Sequence, residues 1–240
     1  MYILFQLAIR VFELREDRIM GRRFQSYKGK SIEISYDTVR CIHAGECVRG
    51  LSNVFNPKRN PWIDPDQASA DEIAGVIGCC PTGALKFIRQ DGGVAQKPDA
   101  ANCVTITENG PLYVRGRIRI NRADGSVLLN DSRVAFCRCG ATRHLPYCDG
   151  SHDKSRFQDP GTATISNVDE HAGLKEGEVL KVTPLENGPL LFEGPVEIRN
   201  ADSRLVFRGL QTALCRCGSS ATKPFCDGTH ARIGFKGSSE

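Results

Sequence analysis

The chain has 240 residues and a formal net charge of +4, and it is rich in glycine (24) and cysteine (11) but poor in tryptophan (1) and methionine (2). This composition favours several small, loop-rich modules over one large core, and modules of that size often need a metal or cofactor to stabilise them. Acidic and basic residues are interspersed, which excludes the concentrated positive charge typical of nucleic-acid-binding proteins.

The cysteines indicate metal ligands in a reducing cytoplasm. Their number is odd, they recur as C-x-C and C-x5-C, and residues 1–12 lack the basic leader and cleavage site of a signal peptide. Residues 1–12 are apolar, but Arg10 and Glu13 end the run short of the roughly 20 residues that a membrane helix needs. We therefore expect no transmembrane segment and an N-terminal extension over residues 1–30. An amphipathic helix and a translation start at Met20 are alternatives for this stretch.

The next stretch, residues 31–90, has the pattern of a compact α+β module. Residues 31–36 alternate apolar and polar side chains, which predicts a strand, and residues 84–88 predict a second one. Residues 48–55 are expected to form a short helix. A longer helix is predicted after Ser69, whose hydroxyl can cap its first turn.

A gapless internal repeat occupies the rest of the chain. Residues 137–152 return as residues 215–230, shifted by 78 positions, and the similarity extends into the strand-rich stretches around them. The potential ligands of the two copies are Cys137, Cys139, Cys148 and His152 in the first and Cys215, Cys217, Cys226 and His230 in the second. We divide this part into a linker (91–102), a first repeat (103–158), a second linker (159–178) and a second repeat (179–237).

The spacing of the ligands suits two metal ions in each repeat. Two cysteines one residue apart can chelate one ion, and a cysteine and a histidine four residues apart can hold another from one face of a helical turn. Three thiolates and one imidazole are enough for a [2Fe–2S] cluster, and a Cys3His zinc site is the alternative. Asp149 can cap a helix that begins inside the motif, and Gly150 leaves room for inorganic sulfide.

The repeated motif C-x-C-x2-(T/S)-x3-P-x-C-D-G-(S/T)-H resembles that of the CDGSH (NEET) iron–sulfur proteins. The resemblance implies one [2Fe–2S] cluster in each copy, bound through its three cysteines and its histidine. Members of this family act in electron transfer, cluster transfer and redox or iron sensing. Tandem members form within one chain the pair that other members form as dimers, so we expect two strand-rich modules in an intrachain pseudo-dimer, and a monomer is plausible.

The front module resembles the divergent mono-cluster ferredoxins through Cys41-x5-Cys47 and Cys80-Pro81. Such ferredoxins use C-x2-C-x2-C with a distant C-P, but Ala44 occupies the second position here. The three cysteines therefore imply a [3Fe–4S] cluster, or a [4Fe–4S] cluster with an unusual fourth ligand. His43 and Cys79 are candidates for that ligand, although we interpret them as a bystander and a free thiol.

These features imply an iron–sulfur protein without a catalytic site of its own, because the sequence contains no dinucleotide fingerprint, P-loop or convincing nucleophile–base pair. The first hypothesis is an electron carrier, which requires a reductase and an acceptor as redox partner proteins. The second is a cluster-transfer or sensing protein that serves an apo-acceptor. A redox subunit docked to a catalytic partner is a third. No nucleic-acid partner is expected.

Overall fold

The computed structural model describes residues 24–238, which are rich in strands and poor in helices and enclose two hydrophobic cores. One core fills the front module. The other fills the tandem repeats and draws side chains from both copies; for example, Phe136 and Phe192 meet edge to face with ring centroids 6.2 Å apart. The two repeats therefore share one core, which neither could complete alone.

The front module contains a three-stranded antiparallel sheet in the order β1 (Phe24–Lys28), β2 (Ile32–Asp37) and β3 (Leu85–Arg89). The two strands predicted from alternation are confirmed as β2 and β3. Strand β1 lies inside the segment that we assigned to the N-terminal extension, so that segment must be shortened. Because β1 is a largely exposed edge strand, its side chains do not alternate in polarity and its sequence carries no strand signal. The helix considered for residues 1–12 lies outside the described residues.

Short helices connect the strands of the front module. Helix α1 (Glu46–Gly50) begins earlier and ends sooner than predicted, and a 3-10 turn follows at Pro65–Gln67. Helix α2 (Ala70–Gly78) begins after Ser69, as predicted, with a reciprocal capping box in which Ser69 and Glu72 each accept from the other's backbone N–H. No helix within residues 24–238 is long and apolar enough to cross a membrane.

The tandem repeats form a single seven-stranded sheet. Its strands are β4 (Cys103–Ile106), β5 (Leu112–Asn121), β6 (Val127–Phe136), β7 (Asn167–Val168), β8 (Leu180–Pro184), β9 (Leu190–Arg199) and β10 (Leu205–Leu214). Each repeat contributes a long hairpin, β5–β6 or β9–β10, with ten residues in each strand. The alternating burial along β5 and β9 directs one face of each strand into the shared core.

The two short strands β4 and β8 join the repeats. Strand β4 pairs antiparallel with β5 of its own repeat and parallel with β9 of the other. Strand β8 pairs antiparallel with β9 and parallel with β5. Each repeat therefore completes its sheet with a strand from the other, which explains why the sequence similarity continues without a gap through these short strands.

The segments that we predicted to be linkers are partly built into the fold. Residues 159–178 include strand β7, which pairs parallel with β10, and the buried Asp159. The other segment, residues 91–102, is mostly exposed but ends at the buried Asn102. The amide of Asn102 donates to the carbonyls of Glu178 and Pro195 and so fastens the first repeat to the second.

The front module packs against hairpin β5–β6 of the first repeat. The Arg133 guanidinium, on β6, donates to the carbonyls of Ile77 and Leu85 in the front module. In return, Arg40 donates to the Arg133 carbonyl over 2.7 Å. A Cβ atom at Gly83 would lie 2.5 Å from the same carbonyl, so glycine is needed for this close approach.

Candidate metal centres

The first ligand loop, residues 137–152, begins where strand β6 ends and folds back on that strand. The Cys137 N–H donates to the Pro146 carbonyl and the Cys148 N–H to the Ala135 carbonyl, both over 2.9 Å. The second ligand loop, residues 215–230, repeats this arrangement at the end of β10. The extension of each hairpin by the loop brings the distant third cysteine back to the first two.

The eight predicted ligands lie in four close pairs. The Sγ atoms of Cys137 and Cys139 are 3.6 Å apart, and Cys148 Sγ lies 3.4 Å from His152 Nδ1. In the second loop the corresponding distances are 3.6 Å for Cys215 and Cys217 and 3.3 Å for Cys226 and His230. Two ligands of one tetrahedral metal ion lie about 3.4–3.8 Å apart, so each pair has the spacing to hold one ion. We call the two sets of four ligands the first site and the second site.

The ligands of each site lie as two pairs. Within residues 24–238, no group of three or more His, Cys, Asp or Glu side chains is gathered closely enough to hold one metal ion. Nδ1 is the histidine nitrogen beside the thiol in both sites. Two pairs would suit the two irons of a [2Fe–2S] cluster, one pair for each iron.

A hydroxyl inside each loop fixes the backbone between the cysteines. Thr142 Oγ1 donates to the Tyr147 carbonyl over 2.8 Å and accepts from the His144 N–H. Ser220 makes the same donor contact, to the Phe225 carbonyl over 2.6 Å. Because only the hydroxyl takes part, threonine and serine are interchangeable at this position of the motif.

The aspartate of each motif ties its loop to the helical turn that carries the histidine. Asp149 accepts from the N–H groups of Ser151 and Arg143 at 3.0 and 3.1 Å, and these bonds hold its pKa at about 2 although burial alone would raise it. Asp149 was predicted to cap this helix, but the N-cap of helix α3 (Ser151–Lys154) is Gly150, and the helix has no side-chain capping bond. The φ of 83° at Gly150 favours glycine.

Helix α4 (Thr229–Arg232) and Asp227 repeat this arrangement in the second loop. Asp227 accepts from the Thr229 N–H at 2.9 Å and from the Ala221 N–H at 2.8 Å, and these bonds lower its pKa.

Gly150 has no protein atom within 4 Å of the position where a Cβ would be. Its backbone angle is therefore what favours glycine there, and the space for sulfide stays a prediction.

The environment of the thiols favours binding of a cation. Burial raises the pKa of Cys148 to about 12 and that of Cys217 to about 11. In contrast, the hydrogen bond from Cys137 lowers the pKa of Cys139 to about 6. Buried thiols of high pKa become good ligands only when a bound cation replaces the proton.

Sequence reasoning missed two fully buried arginines that lie between the paired cysteines. Arg138 donates to the carbonyls of Gly110 and Thr107 at 3.0 and 2.6 Å, pairs with the Asp159 carboxylate, and packs 5.1 Å from the centroid of the Phe157 ring. The signal was in the sequence, because the middle residue of C-x-C is arginine in both repeats. Through these contacts Arg138 ties the first ligand loop to the segments around Thr107 and Asp159.

The second of these arginines, Arg216, lacks the carboxylate of the first. Its guanidinium donates to the carbonyls of Gly188, Leu185 and Gly237, and it lies 5.5 Å from the centroid of the Phe235 ring. Gly237 occupies the position in the second repeat that corresponds to Asp159 in the first. The two sites therefore have the same arrangement of arginine, carbonyl groups and aromatic ring, but within the described part of the chain only the first has a buried carboxylate beside its arginine.

The two ligand loops contact each other through their C-x-C-G segments. Cys139 and Cys217 form an antiparallel bridge. Gly140 and Gly218 both have positive φ, and a Cβ on either would lie 2.7 or 2.6 Å from the carbonyl oxygen of the opposite cysteine. These glycines let the two backbones meet, which places the first and second sites next to each other.

The predicted ligands of the front module, Cys41, Cys47 and Cys80, line one cleft. We call them the front site. Burial raises the pKa of Cys47, and the charges of Cys80 and Cys41 add to the rise, so the three thiols act on one another. Ala44 lines the same cleft and offers no ligand atom.

Neither candidate for a fourth ligand lines the front cleft. His43 is exposed, and the exposed Cys79 directs its Sγ to the Gly75 carbonyl at 3.6 Å.

Trp62 packs edge to face on Tyr36 with ring centroids 5.0 Å apart, as expected for a core residue. Cys103 lies half-buried in β4, apart from all three sites.

Family models match these regions. The model described as "Divergent 4Fe-4S mono-cluster" matches residues 27–90, and the one described as "Iron-binding zinc finger CDGSH type" matches residues 109–153 and 187–231. The chain is a tandem CDGSH iron–sulfur protein with a divergent mono-cluster 4Fe–4S domain in front. The matches to the tandem CDGSH protein cover both ligand loops up to and including their histidines.

Two curated relatives match part of the chain. The tandem CDGSH protein is 44% identical over 72 residues to "Uncharacterized protein YjdI" of Escherichia coli strain K12 and to the protein of the same name from E. coli O157:H7. The match covers 30% of this chain and 95% of each relative. No solved structure matches the tandem CDGSH protein significantly.

Proposed function

We propose that the protein is an electron carrier with three iron–sulfur clusters in one chain. The first and second sites each hold a [2Fe–2S] cluster, and the front site holds a [3Fe–4S] cluster or a [4Fe–4S] cluster with an unusual fourth ligand. Such clusters take up and release single electrons. The observation that carries the proposal is the direct contact between the two ligand loops through Cys139 and Cys217.

The surroundings of the ligands support electron transfer. Each ligand loop is closed by backbone hydrogen bonds to a strand, a hydroxyl bond and an aspartate bond, as at Cys148, Thr142 and Asp149 in the first loop. Ligands held this firmly change position little when the charge of the site changes, which is the condition for fast electron exchange. Histidine in place of a fourth thiolate lowers the negative charge and raises the reduction potential.

The carrier needs partners, because we infer no catalytic site of its own. A reductase supplies electrons, and an acceptor protein or a catalytic partner subunit takes them. The intrachain pairing of the two repeats fulfils the role of a pseudo-dimer, so a monomer is sufficient. A cytoplasmic location is part of the proposal, because all eleven cysteines are free thiols that a reducing compartment preserves.

Anaerobic purification followed by metal analysis and redox titration tests the proposal. We expect broad visible absorbance, iron and acid-labile sulfide beyond the content of two [2Fe–2S] clusters, and reversible reduction without loss of iron. Iron and sulfide equal to two such clusters would show that the front site holds no cluster and takes no part in electron transfer. A colourless protein with stoichiometric zinc would refute electron transfer altogether.

Cluster donation or sensing is the second candidate, and the position of the histidines favours it. His152 Nε2 lies 3.6 Å from the carboxylate of Asp153, whose side chain is exposed, so the ring edge opposite the ligand nitrogen Nδ1 is near the surface. A histidine is a ligand that a proton can displace from the metal, whereas a fourth thiolate would be held more firmly. Transfer of the cluster to an apo-acceptor that His152→Cys and His230→Cys abolish would favour this function, whereas redox cycling that both variants retain would favour the carrier.

A further inference from the structure

Tyr113 lies on strand β5, in the hairpin that leads into the first ligand loop and packs against the front module. Its partner across the hairpin is Ala135, whose carbonyl accepts the Cys148 N–H over 2.9 Å. Burial raises the pKa of the Tyr113 phenol, and the charges of Cys148 and Cys80 both add to the rise. A ligand of each site is therefore within electrostatic reach of the same aromatic ring.

Hydrogen bonds on the same face of the hairpin hold the loop that carries Cys80 in this position. Arg115, two residues after Tyr113 on β5, donates to the Gly78 carbonyl over 2.9 Å. Its cross-strand partner Arg133 donates to the carbonyls of Ile77 and Leu85, on the two sides of Cys80 in the chain. Arg133 therefore fastens both flanks of the segment that carries Cys80 to the hairpin.

The second repeat lacks this docking surface. The hairpin residues of the first repeat that face the front module are Tyr113, Arg115, Asp131 and Arg133, and the equivalent positions of the second repeat carry Leu191, Glu193, Gly209 and Gln211. None of these replacements offers an aromatic ring or a guanidinium group, and the carboxylate of Glu193 stands where the first repeat has Arg115 instead of at the position of Asp131. The second site instead adjoins the first site through Cys139 and Cys217.

We propose that Tyr113 connects the front site to the first site, so that electrons pass along the chain in the order front, first, second. This inference rests on the proposed carrier function. An external one-electron reductant, such as a reduced flavin, first gives one electron to the front site. That electron would then pass to the first site, so that iron in the front site would be reoxidised and iron in the first site would be reduced. No bond forms or breaks, and Tyr113 keeps its proton.

The ring contributes by filling the space between the two sites with bonded, packed atoms. Atoms that line a void have no neighbours on the side of the void. The electronic coupling between the two sites is therefore weaker across a void than across packed atoms. The hydroxyl has no role in this account. Phenylalanine should therefore replace Tyr113 without loss, whereas alanine should not.

Electron paramagnetic resonance of the chemically reduced full chain tests the order of the sites. The matched variants are Cys148→Ala, which removes the first cluster, and Cys226→Ala, which removes the second at the equivalent position, with the loss of one cluster checked by iron analysis. We expect the magnetic interaction between the front signal and the CDGSH signals to be lost in Cys148→Ala and retained in Cys226→Ala. Any other pattern would overturn the order. This readout reports positions, so it stands even if the protein is not a carrier.

Flash reduction of the front site tests the role of Tyr113. The transfer rate to the first site should fall several-fold in Tyr113→Ala and stay at the wild-type value in Tyr113→Phe and in the control Leu191→Ala. An unchanged rate in Tyr113→Ala, with the magnetic interaction intact, would overturn the role of the ring. If Tyr113→Ala itself undocks the front module, Tyr113→Leu, with the side chain of the second repeat, replaces it in the same comparison. A wild-type chain that cannot be cycled would instead refute the carrier function.

Discussion

Arg40 of the front module and Asp131 of strand β6 form a buried ion pair across the junction of the two parts. Arg40 Nη1 lies 2.5 Å from Asp131 Oδ2, and the side chains are 5% and 1% exposed. Lys86, from β3, approaches the same carboxylate at 3.2 Å but is more exposed. The pair joins residues 91 positions apart and fixes the front module on one repeat.

Asp131→Asn should weaken the attachment of the front module. Removal of one partner leaves the buried Arg40 charge uncompensated, which costs about 3–5 kcal/mol in comparable buried pairs. Trp62, the one tryptophan of the chain, lies in the front module, so its fluorescence during denaturation measures the effect there. The surface variant Asp124→Asn, in the turn of the same hairpin, is the control and should change stability far less. Equal effects of the two variants would contradict the role of the pair.

The contribution of Asp131 should also depend on pH in a defined direction. Burial alone would raise the pKa of Asp131, but the charges of Arg40 and Lys86 lower it to about 2. Because this value is below the unfolded pKa of about 3.9, the ionised pair stabilises the fold above about pH 5 and its contribution is lost as pH falls toward 2. The stability difference between wild type and Asp131→Asn should therefore be constant from pH 5 to 7 and shrink below about pH 4. A difference that grows on acidification would refute the assigned shift.

The two buried arginines should respond differently to the same substitution. Arg138→Met leaves the buried Asp159 carboxylate without its cation, whereas Arg216→Met leaves only carbonyls without a donor. We expect the larger loss of thermal stability and of bound iron in Arg138→Met. The double variant Arg138→Met/Asp159→Asn should recover part of that loss, since it removes the unpaired charge. Equal losses in the two single variants would show that the carboxylate is unimportant.

The contact between the ligand loops should depend on the glycines that follow the C-x-C pairs. Gly140→Ala places a Cβ 2.7 Å from the Cys217 carbonyl and also strains a backbone with φ of 76°. Gly125→Ala is the matched control, because its φ of 85° is similarly strained but no atom lies within 4 Å. The control should cost only about 1–2 kcal/mol, measured by chemical denaturation. Gly140→Ala should cost more and weaken the magnetic interaction between the first and second sites. Equal costs would mean that the loops do not need their close approach.

Much of the candidate site could be predicted from the sequence because its ligands are local. Cys148 and His152 are four residues apart, so one helical turn brings them together, and Cys137 and Cys139 need no tertiary contact to act as a pair. Ser69 likewise identified the start of helix α2, because a capping box depends only on residues within one turn. Strand β1 could not be found, because an exposed edge strand has no alternation to read.

The sequence by itself determined the repeat and the helix cap and predicted the three ligand sets, since each rests on short-range spacing and on the chemistry of a few side chains. Only the tertiary structure decided that β4 and β8 are exchanged between the repeats and that the front module docks on the first hairpin. It alone placed Tyr113 on the hairpin that packs against the front module and paired Arg40 with Asp131. These relationships join residues far apart in the chain. They are selected by shared burial of apolar surface and by compensation of buried charge, which no local pattern encodes.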